Sequence, residues 1–230
     1  MSTIANNLQQ VCDAVKKAAL NCGRDPASVK LVAVSKTVPP ERIRQAVEAG
    51  ATDLGENYIQ EAREKIEALK DTAVTWHFIG HLQSNKAKYA VRLFELVHSV
   101  DDLSLAEELD RRARAMGKIQ KVLVQVNVAG ETTKSGVSPG DVLDLIRKMA
   151  TLKNLAVCGL MTMPPYFNAP ERVRPFFAKL RELRDQIGQA GIPSMSMTEL
   201  SMGMSGDFKA AIEEGATLVR IGTAIFGERT

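Results

Sequence analysis

The sequence predicts a single α/β domain over residues 1–230, a (β/α)8 TIM barrel with an extra N-terminal helix. Three observations predict it. Short β-branched runs alternate with segments of helical periodicity along the whole chain. No Ser/Gly linker, low-complexity tract or shift of composition divides it. An internal echo also repeats: Ala46-Val-Glu-Ala-Gly-Ala-Thr52 and Ala211-Ile-Glu-Glu-Gly-Ala-Thr217 each end a helix and enter a strand that runs to a glycine, Gly55 or Gly222. The competing architecture, an open doubly wound sheet, would need a crossover at a switch point, and no GxGxxG fingerprint marks one.

In chain order, Ile4, Leu8, Val11 and Val15 stripe the extra helix. The first strand is predicted at Val29–Ser35. Pro39 and Pro40 then open a helix with Ile43, Ala46 and Val47 on one face, closed by Gly50. Strands follow at Thr52–Gly55, Thr75–Gly80 and Leu96–Val100. Asp101 or Asp102 caps a helix carrying Leu105, Leu109 and Met116, closed by Gly117. After a strand at Val122–Val128, Ser138-Pro139 opens a helix with Val142, Leu145, Ile146 and Met149. The strand at Val157–Met163 leads to a helix striped by Val173, Phe176, Phe177, Leu180 and Ile187. Strands at Met197–Met202 and Thr217–Gly222 complete the set.

Composition narrows the function classes. Hydrophobic residues make up 45% and charged residues 25%, and 30 Lys+Arg against 27 Asp+Glu leave a formal charge of only +3. The densest basic stretch, Arg111, Arg112 and Arg114, follows Glu107, Glu108 and Asp110 and reads as a solvated helix face. Nucleic-acid binding through bulk charge is therefore not expected. No apolar run is long enough to span a bilayer, and Met1–Gln10 lacks the apolar core of a secretory signal. Cys12, Cys22 and Cys158 form no CxxC and are odd in number, so a reducing, cytoplasmic home is expected.

In such barrels functional residues gather where strands end and loops begin. Lys36 follows the first strand and shares a face with Val32 and Val34. If that face points inward, an apolar setting frees the neutral amine that attacks an aldehyde. Taken alone, a lysine at a strand terminus fits a surface ion pair better. At the other end of the chain, Gly222 and Thr223 mark the junction of the last strand and a short closing helix. Ser201-Met-Gly203-Met-Ser205-Gly206 supplies a second small-residue loop. Phosphate sites in these barrels often come from those two loops, although each glycine alone reads equally as a turn. Arg220, two positions before a strand end, needs an acceptor: a carboxylate such as Glu56 or Glu199, or a cofactor ring nitrogen.

An imine-forming lysine, a phosphate cradle and an arginine for a ring nitrogen together suggest pyridoxal 5′-phosphate (PLP). Seven blocks, in order, carry a resemblance. They are Leu31–Thr37, Gly55–Glu61, Trp76–Gly80 with Leu82–Lys86, Lys134–Gly136, Gly159–Met161, Leu200–Ser205 and Val219–Gly227. On these the sequence resembles the pyridoxal phosphate homeostasis protein (YggS) family over nearly its whole length. The resemblance implies a fold-type III PLP barrel like the N-terminal domain of alanine racemase. It implies Lys36 as the internal aldimine, Arg220 at the pyridine nitrogen, and Asn57 beside the cofactor. It further implies Ser201, Gly203, Gly222 and Thr223 around the phosphate. Met202 stands where family members often have Leu, an apolar exchange.

The resemblance implies an intracellular role in PLP homeostasis and delivery, with apo PLP-dependent enzymes as recipients. An arginine at the pyridine nitrogen weakens the ring as an electron sink. Alanine racemase adds a tyrosine from a further domain and a partner subunit; here the sequence stops three residues after Gly227, so no second domain is expected. Of Tyr58, Tyr89 and Tyr166, only Tyr166 lies in a loop worth testing as a stray base. The expectation is a monomeric, non-catalytic carrier. A minimal amino-acid racemase is the alternative, and a PLP-free Schiff-base aldolase is a third class lacking its acid/base partner. Lys134 is a candidate second lysine for transfer, though it reads more simply as a solvated loop residue. His77 and His81 are four apart without HExxH, no P-loop occurs, and His77 and His98 read as satisfied strand histidines, so no metal is expected.

Overall fold

Every predicted strand forms, and the eight pair in parallel in chain order, with β8 closing on β1 into a barrel. The computed structural model describes residues 3–131, 134–165, 167, 169–193 and 195–228. The strands are β1 (Lys30–Val34), β2 (Asp53–Glu56), β3 (Thr75–Phe78), β4 (Leu96–Val100), β5 (Gln120–Gln125), β6 (Leu155–Met161), β7 (Met195–Ser201) and β8 (Leu218–Ile221). Helix α1 (Ile4–Asn21) precedes them. Helices α2 (Pro40–Glu48), α3 (Ile59–Ala68), α4 (Ala87–Leu93), α5 (Leu103–Ala115), α6 (Val142–Met149), α7 (Arg174–Gln189) and α8 (Phe208–Glu213) connect successive strands, and α9 (Thr223–Phe226) follows β8.

The period-2 alternation of each strand divides its side chains between two faces. Ala33, Leu54, Trp76, Phe78, Val97 and Val219 point outward into one continuous core with the helices. Inside the barrel, Val32, Leu96, Leu123, Met161 and Leu218 form a separate, smaller apolar cluster. The rest of the interior is unusually polar: Asp53, His77, His98, Ser201 and Arg220 are all buried there. The repeated helix-to-strand joints match in detail. Gly50 and Gly215 both adopt positive φ (106° and 99°). Ala51 N–H donates to Ala46 O as Ala216 N–H does to Ala211 O, each at 2.9 Å. That positive φ is why both joints need glycine. α1 packs against α2, α8 and α9, with Asn7 donating to Ile225 O at 3.0 Å.

Three local expectations are corrected. β5, β6 and β7 each begin two residues before the predicted runs, at Gln120, Leu155 and Met195; Gln120 escapes the apolar pattern because it is polar, yet it pairs in the ladder and buries its side chain. Gln120 Nε2 donates to Glu95 O at 3.1 Å. β5 ends at Gln125, not Val128, because Asn127 turns away to hold its own loop through Glu131 O at 2.8 Å. Ser138-Pro139 forms a preceding turn rather than a cap, with the Ser138 hydroxyl on Asp141 Oδ2 at 2.6 Å, and α6 begins at Val142. The α5 cap is Asp102, which accepts from Leu105 N–H at 2.8 Å, whereas Asp101 accepts from Gly136 N–H. Arg111 and Arg112 pair with Glu108 on α5, as a solvated face does. Cys12, Cys22 and Cys158 are free thiols. Among the described residues no helix is long and apolar enough to cross a membrane.

Candidate functional site

The barrel's C-terminal mouth is where sequence-distant loops meet, and Lys36 lies there in a tight turn leaving β1. Thr37 adopts φ 64°, a conformation a threonine holds only when its surroundings fix it. A buried ion triad supplies that constraint. Lys65, on the apolar stripe of α3, donates from Nζ to Ser35 O (2.5 Å), Glu56 Oε1 (2.7 Å) and Glu61 Oε1 (2.5 Å). Ser35 Oγ donates to Glu56 Oε1 at 2.6 Å, and Thr37 N–H donates to Glu61 Oε1 at 2.5 Å. The residues on both sides of Lys36 are thus tied to one lysine and two carboxylates. Burial pushes the Glu56 carboxyl up, and the Lys65 and Ser35 hydrogen bonds only partly offset it.

Lys36 lines a cavity of about 460 Å³. Arg220, Gly222 and Thr223 enter it from the β8 end, Ser205, Gly206 and Asp207 from the β7–α8 loop, and Asn57 from the β2–α3 loop. Val34, Ile79, Met163, Phe167 and Met204 supply apolar walls. A Cβ added to Gly222 would lie 3.1 Å from Val34 O, so the backbone approaches β1 more closely than most residues allow. Asn57, one of the lining residues, has its Oδ1 buried without a hydrogen-bond partner. Gly80 explains how the Asn57 loop sits so close: a Cβ there would lie 2.3 Å from Asn57 O.

Arg220 is 4% exposed, and the carboxylate partners expected from the sequence are not its partners. Glu56 is engaged by Lys65 and Ser35, and Glu199 by Thr217 at 2.5 Å. Arg220 instead donates to Ser201 Oγ (2.6 Å) and Thr162 O (2.9 Å). A guanidinium has five N–H donors, so others remain for a ligand. Burial pushes its pKa down to about 10, with Asp207 the charge that opposes this. Asp207 is itself pushed up by burial and accepts from Met204 N–H at 2.6 Å.

The structure therefore brings five predicted residues, Lys36, Asn57, Arg220, Gly222 and Thr223, to one cavity. Ser201 is fully buried beneath Arg220 and Gly203 packs toward Phe208 and Ala211; neither lines the cavity. From the same β7–α8 loop, Ser205, Gly206 and Asp207 line it. Lys134 pairs with Glu131 at 3.0 Å and lies outside this lining. Tyr166 lies outside the described residues, and neither Tyr58 nor Tyr89 lines the cavity.

The family described as alanine racemase, N-terminal domain, matches residues 2–230. A pyridoxal phosphate homeostasis protein of Aquifex aeolicus is 50% identical over 222 residues, 96% of each chain. The chain belongs to the pyridoxal phosphate homeostasis protein family. Within that family's reach, the structure of PipY from Synechococcus elongatus with PLP bound is 38% identical, with a TM-score of 0.85 over 98% of this chain and all of that one. Alanine racemase of Clostridium difficile shares the fold at 17% identity, with a TM-score of 0.71; the match spans 57% of the racemase.

Proposed function

We propose that this chain binds PLP in the Lys36 cavity, with the aldehyde carbon joined to Lys36 Nζ, and serves intracellular PLP homeostasis and delivery without catalytic turnover. The observation that carries the proposal is the convergence of Lys36, the buried Arg220 and the Gly222–Thr223 junction on one cavity. When bound, the cofactor supplies a carbonyl carbon that forms and releases imines reversibly. The chain's residues do the rest. The Lys65 triad fixes the turn that presents Lys36. Arg220 offers N–H to the ring nitrogen. Gly222, Thr223, Ser205 and Gly206 form the phosphate cradle from backbone N–H groups and hydroxyls. Asn57 Oδ1 accepts from a ligand donor. Met163, which is 45% exposed, and Met204 form an adaptable apolar wall at the mouth.

The carrier reading is favoured because, among the described residues, the ionisable groups lining the cavity are Lys36, Asp207 and Arg220. No histidine or described tyrosine lines it to serve as a second acid/base group. Asp207 gives the racemase alternative its one foothold, a carboxyl pushed up by burial. Two assays separate the readings. Loaded protein mixed with an apo PLP enzyme is expected to restore that enzyme's activity, and the protein is expected to act as a monomer by light scattering. Exchange of an amino-acid Cα proton with solvent, lost in both Lys36→Ala and Asp207→Asn, would instead establish the racemase.

A further inference from the structure

A chain of five buried polar side chains crosses the barrel interior beneath the cavity. Asp53 opens β2, His77 lies on β3, His98 on β4, Ser201 ends β7 and Arg220 lies on β8, and none is more than 5% exposed. His77 Nε2 is 3.0 Å from Asp53 Oδ1, and His77 Nδ1 is 2.9 Å from His98 Nε2. His98 Nδ1 is 2.8 Å from Ser201 Oγ, which accepts from Arg220 Nη1 at 2.6 Å. Only Arg220 among the five lines the cavity. Asp53 stands at the opposite, N-terminal end of the barrel, with Thr52 Oγ1 donating to Oδ2 at 2.7 Å and Lys30 Nζ 3.8 Å away.

The protons in this chain have one consistent arrangement while both rings are neutral, since a neutral imidazole carries one donor and one acceptor. Burial pushes the Asp53 carboxyl up, but His77, Thr52 and Lys30 outweigh that and hold it below its usual value, so it is an acceptor only. His77 must then donate through Nε2 and accept at Nδ1. His98 accordingly carries its proton on Nε2 and accepts at Nδ1. The Ser201 hydroxyl gives its proton to His98, leaving its oxygen to accept from Arg220. All four hydrogen bonds run toward Asp53. Barrels of this kind usually fill these inward positions with branched aliphatic side chains. A buried polar series with every member satisfied fixes one geometry, because any rotation leaves an unpaired group.

We infer that Asp53, His77, His98 and Ser201 are positioning residues for Arg220. They hold one arm of its guanidinium and so aim the remaining N–H donors at the ring nitrogen of a pyridine ligand. The inference rests on the proposed PLP reading and adds residues that touch no ligand, one of them at the far mouth of the barrel.

The test compares binding of PLP with that of its 1-deaza analogue, in which CH replaces the ring nitrogen, in otherwise intact protein. If Arg220 is aimed at that nitrogen, the wild type prefers PLP by about tenfold to a hundredfold, the range of one hydrogen bond to a charged donor. The preference is expected to collapse toward unity in Ser201→Ala and to fall several-fold in the near-isosteric Asp53→Asn. Ser201→Thr, which keeps the hydroxyl, should restore it. A wild type that binds neither compound overturns the PLP reading itself. A wild type that binds both equally overturns the aim of Arg220. Undiminished preference in folded Ser201→Ala and Asp53→Asn overturns the inference alone. Nitrogen NMR of the wild type needs no variant, and only three histidines contribute. His98 protonated on Nε2 with a bare Nδ1 supports the chain; a proton on Nδ1 reverses its direction and overturns the inference.

Discussion

Removing the Lys65 ammonium tests how the turn carrying Lys36 is held. Lys65 and Glu56 are 4% and 0% exposed in their side chains, and Glu61 is 26% exposed. Lys65→Met keeps the stem's volume but leaves the Glu56 carboxylate buried without its cation. Breaking a buried pair from one side costs about 3–5 kcal/mol. In a chain of this length that lowers Tm by on the order of 10 °C. The cost has a pH signature. Glu56 is already pushed above its ordinary 4.5 by burial, and losing Lys65 raises it further. A carboxyl whose folded pKa exceeds the unfolded value binds more protons when folded. Its penalty therefore grows as pH rises through that window, by up to about 1.4 kcal/mol per pH unit, and is relieved toward pH 4.5. Urea unfolding of wild type and variant at neutral and mildly acidic pH measures this directly. Glu56→Gln/Lys65→Met, which removes both buried charges, should lose less than Lys65→Met alone. A single-variant loss under about 1 kcal/mol, or one independent of pH and matched by the double variant, would refute the reasoning.

Other substitutions probe neighbouring parts of the account. Gly80→Ala must push the Asn57 backbone aside, since its Cβ would lie 2.3 Å from Asn57 O. It should destabilise by about 1–3 kcal/mol in urea unfolding and weaken PLP binding together. His98 is held well below 6.5 by burial, with His77 and Arg220 adding to the effect. The unfolded chain therefore takes up a proton that the folded one refuses, and wild-type stability should fall as pH drops below 6.5. His98→Asn should flatten that fall by up to about 1.4 kcal/mol per pH unit, and an unchanged slope would count against it. Arg220→Met leaves Ser201 and Thr162 without their donor, and should weaken PLP binding by about tenfold or more in a fluorescence titration.

The barrel was legible because its outward strand positions and helix stripes carry the apolar periodicity that a two-layer α/β fold demands, and because Gly50 and Gly215 mark equivalent joints. Strand starts such as Gln120 escaped that pattern: a polar side chain can be buried in a ladder when its amide finds backbone carbonyls. Lys36, Arg220, Gly222 and Thr223 could be placed because strand ends in a barrel converge on one mouth, and Asn57 through the family resemblance. The partner of Arg220 could not, since pairing across a closed interior joins residues as distant as Asp53 and Arg220 without any local spacing. The Lys65 triad did leave a signal. Ile59, Ala62 and Lys65 recur at helical spacing, which puts a lysine on a buried stripe, and Glu61 stands one turn before it. Asp207 left none, because its place in the cavity depends on how the β7–α8 loop folds over α8.

The central claim is that Lys36 is the residue that bonds the cofactor. The direct test is to incubate the protein with PLP, reduce with borohydride, and locate the phosphopyridoxyl group by peptide mass spectrometry. The account predicts one dominant adduct on Lys36, with loss of the visible absorption band in Lys36→Ala. An adduct spread over surface lysines, or a band that survives Lys36→Ala unchanged, would contradict it.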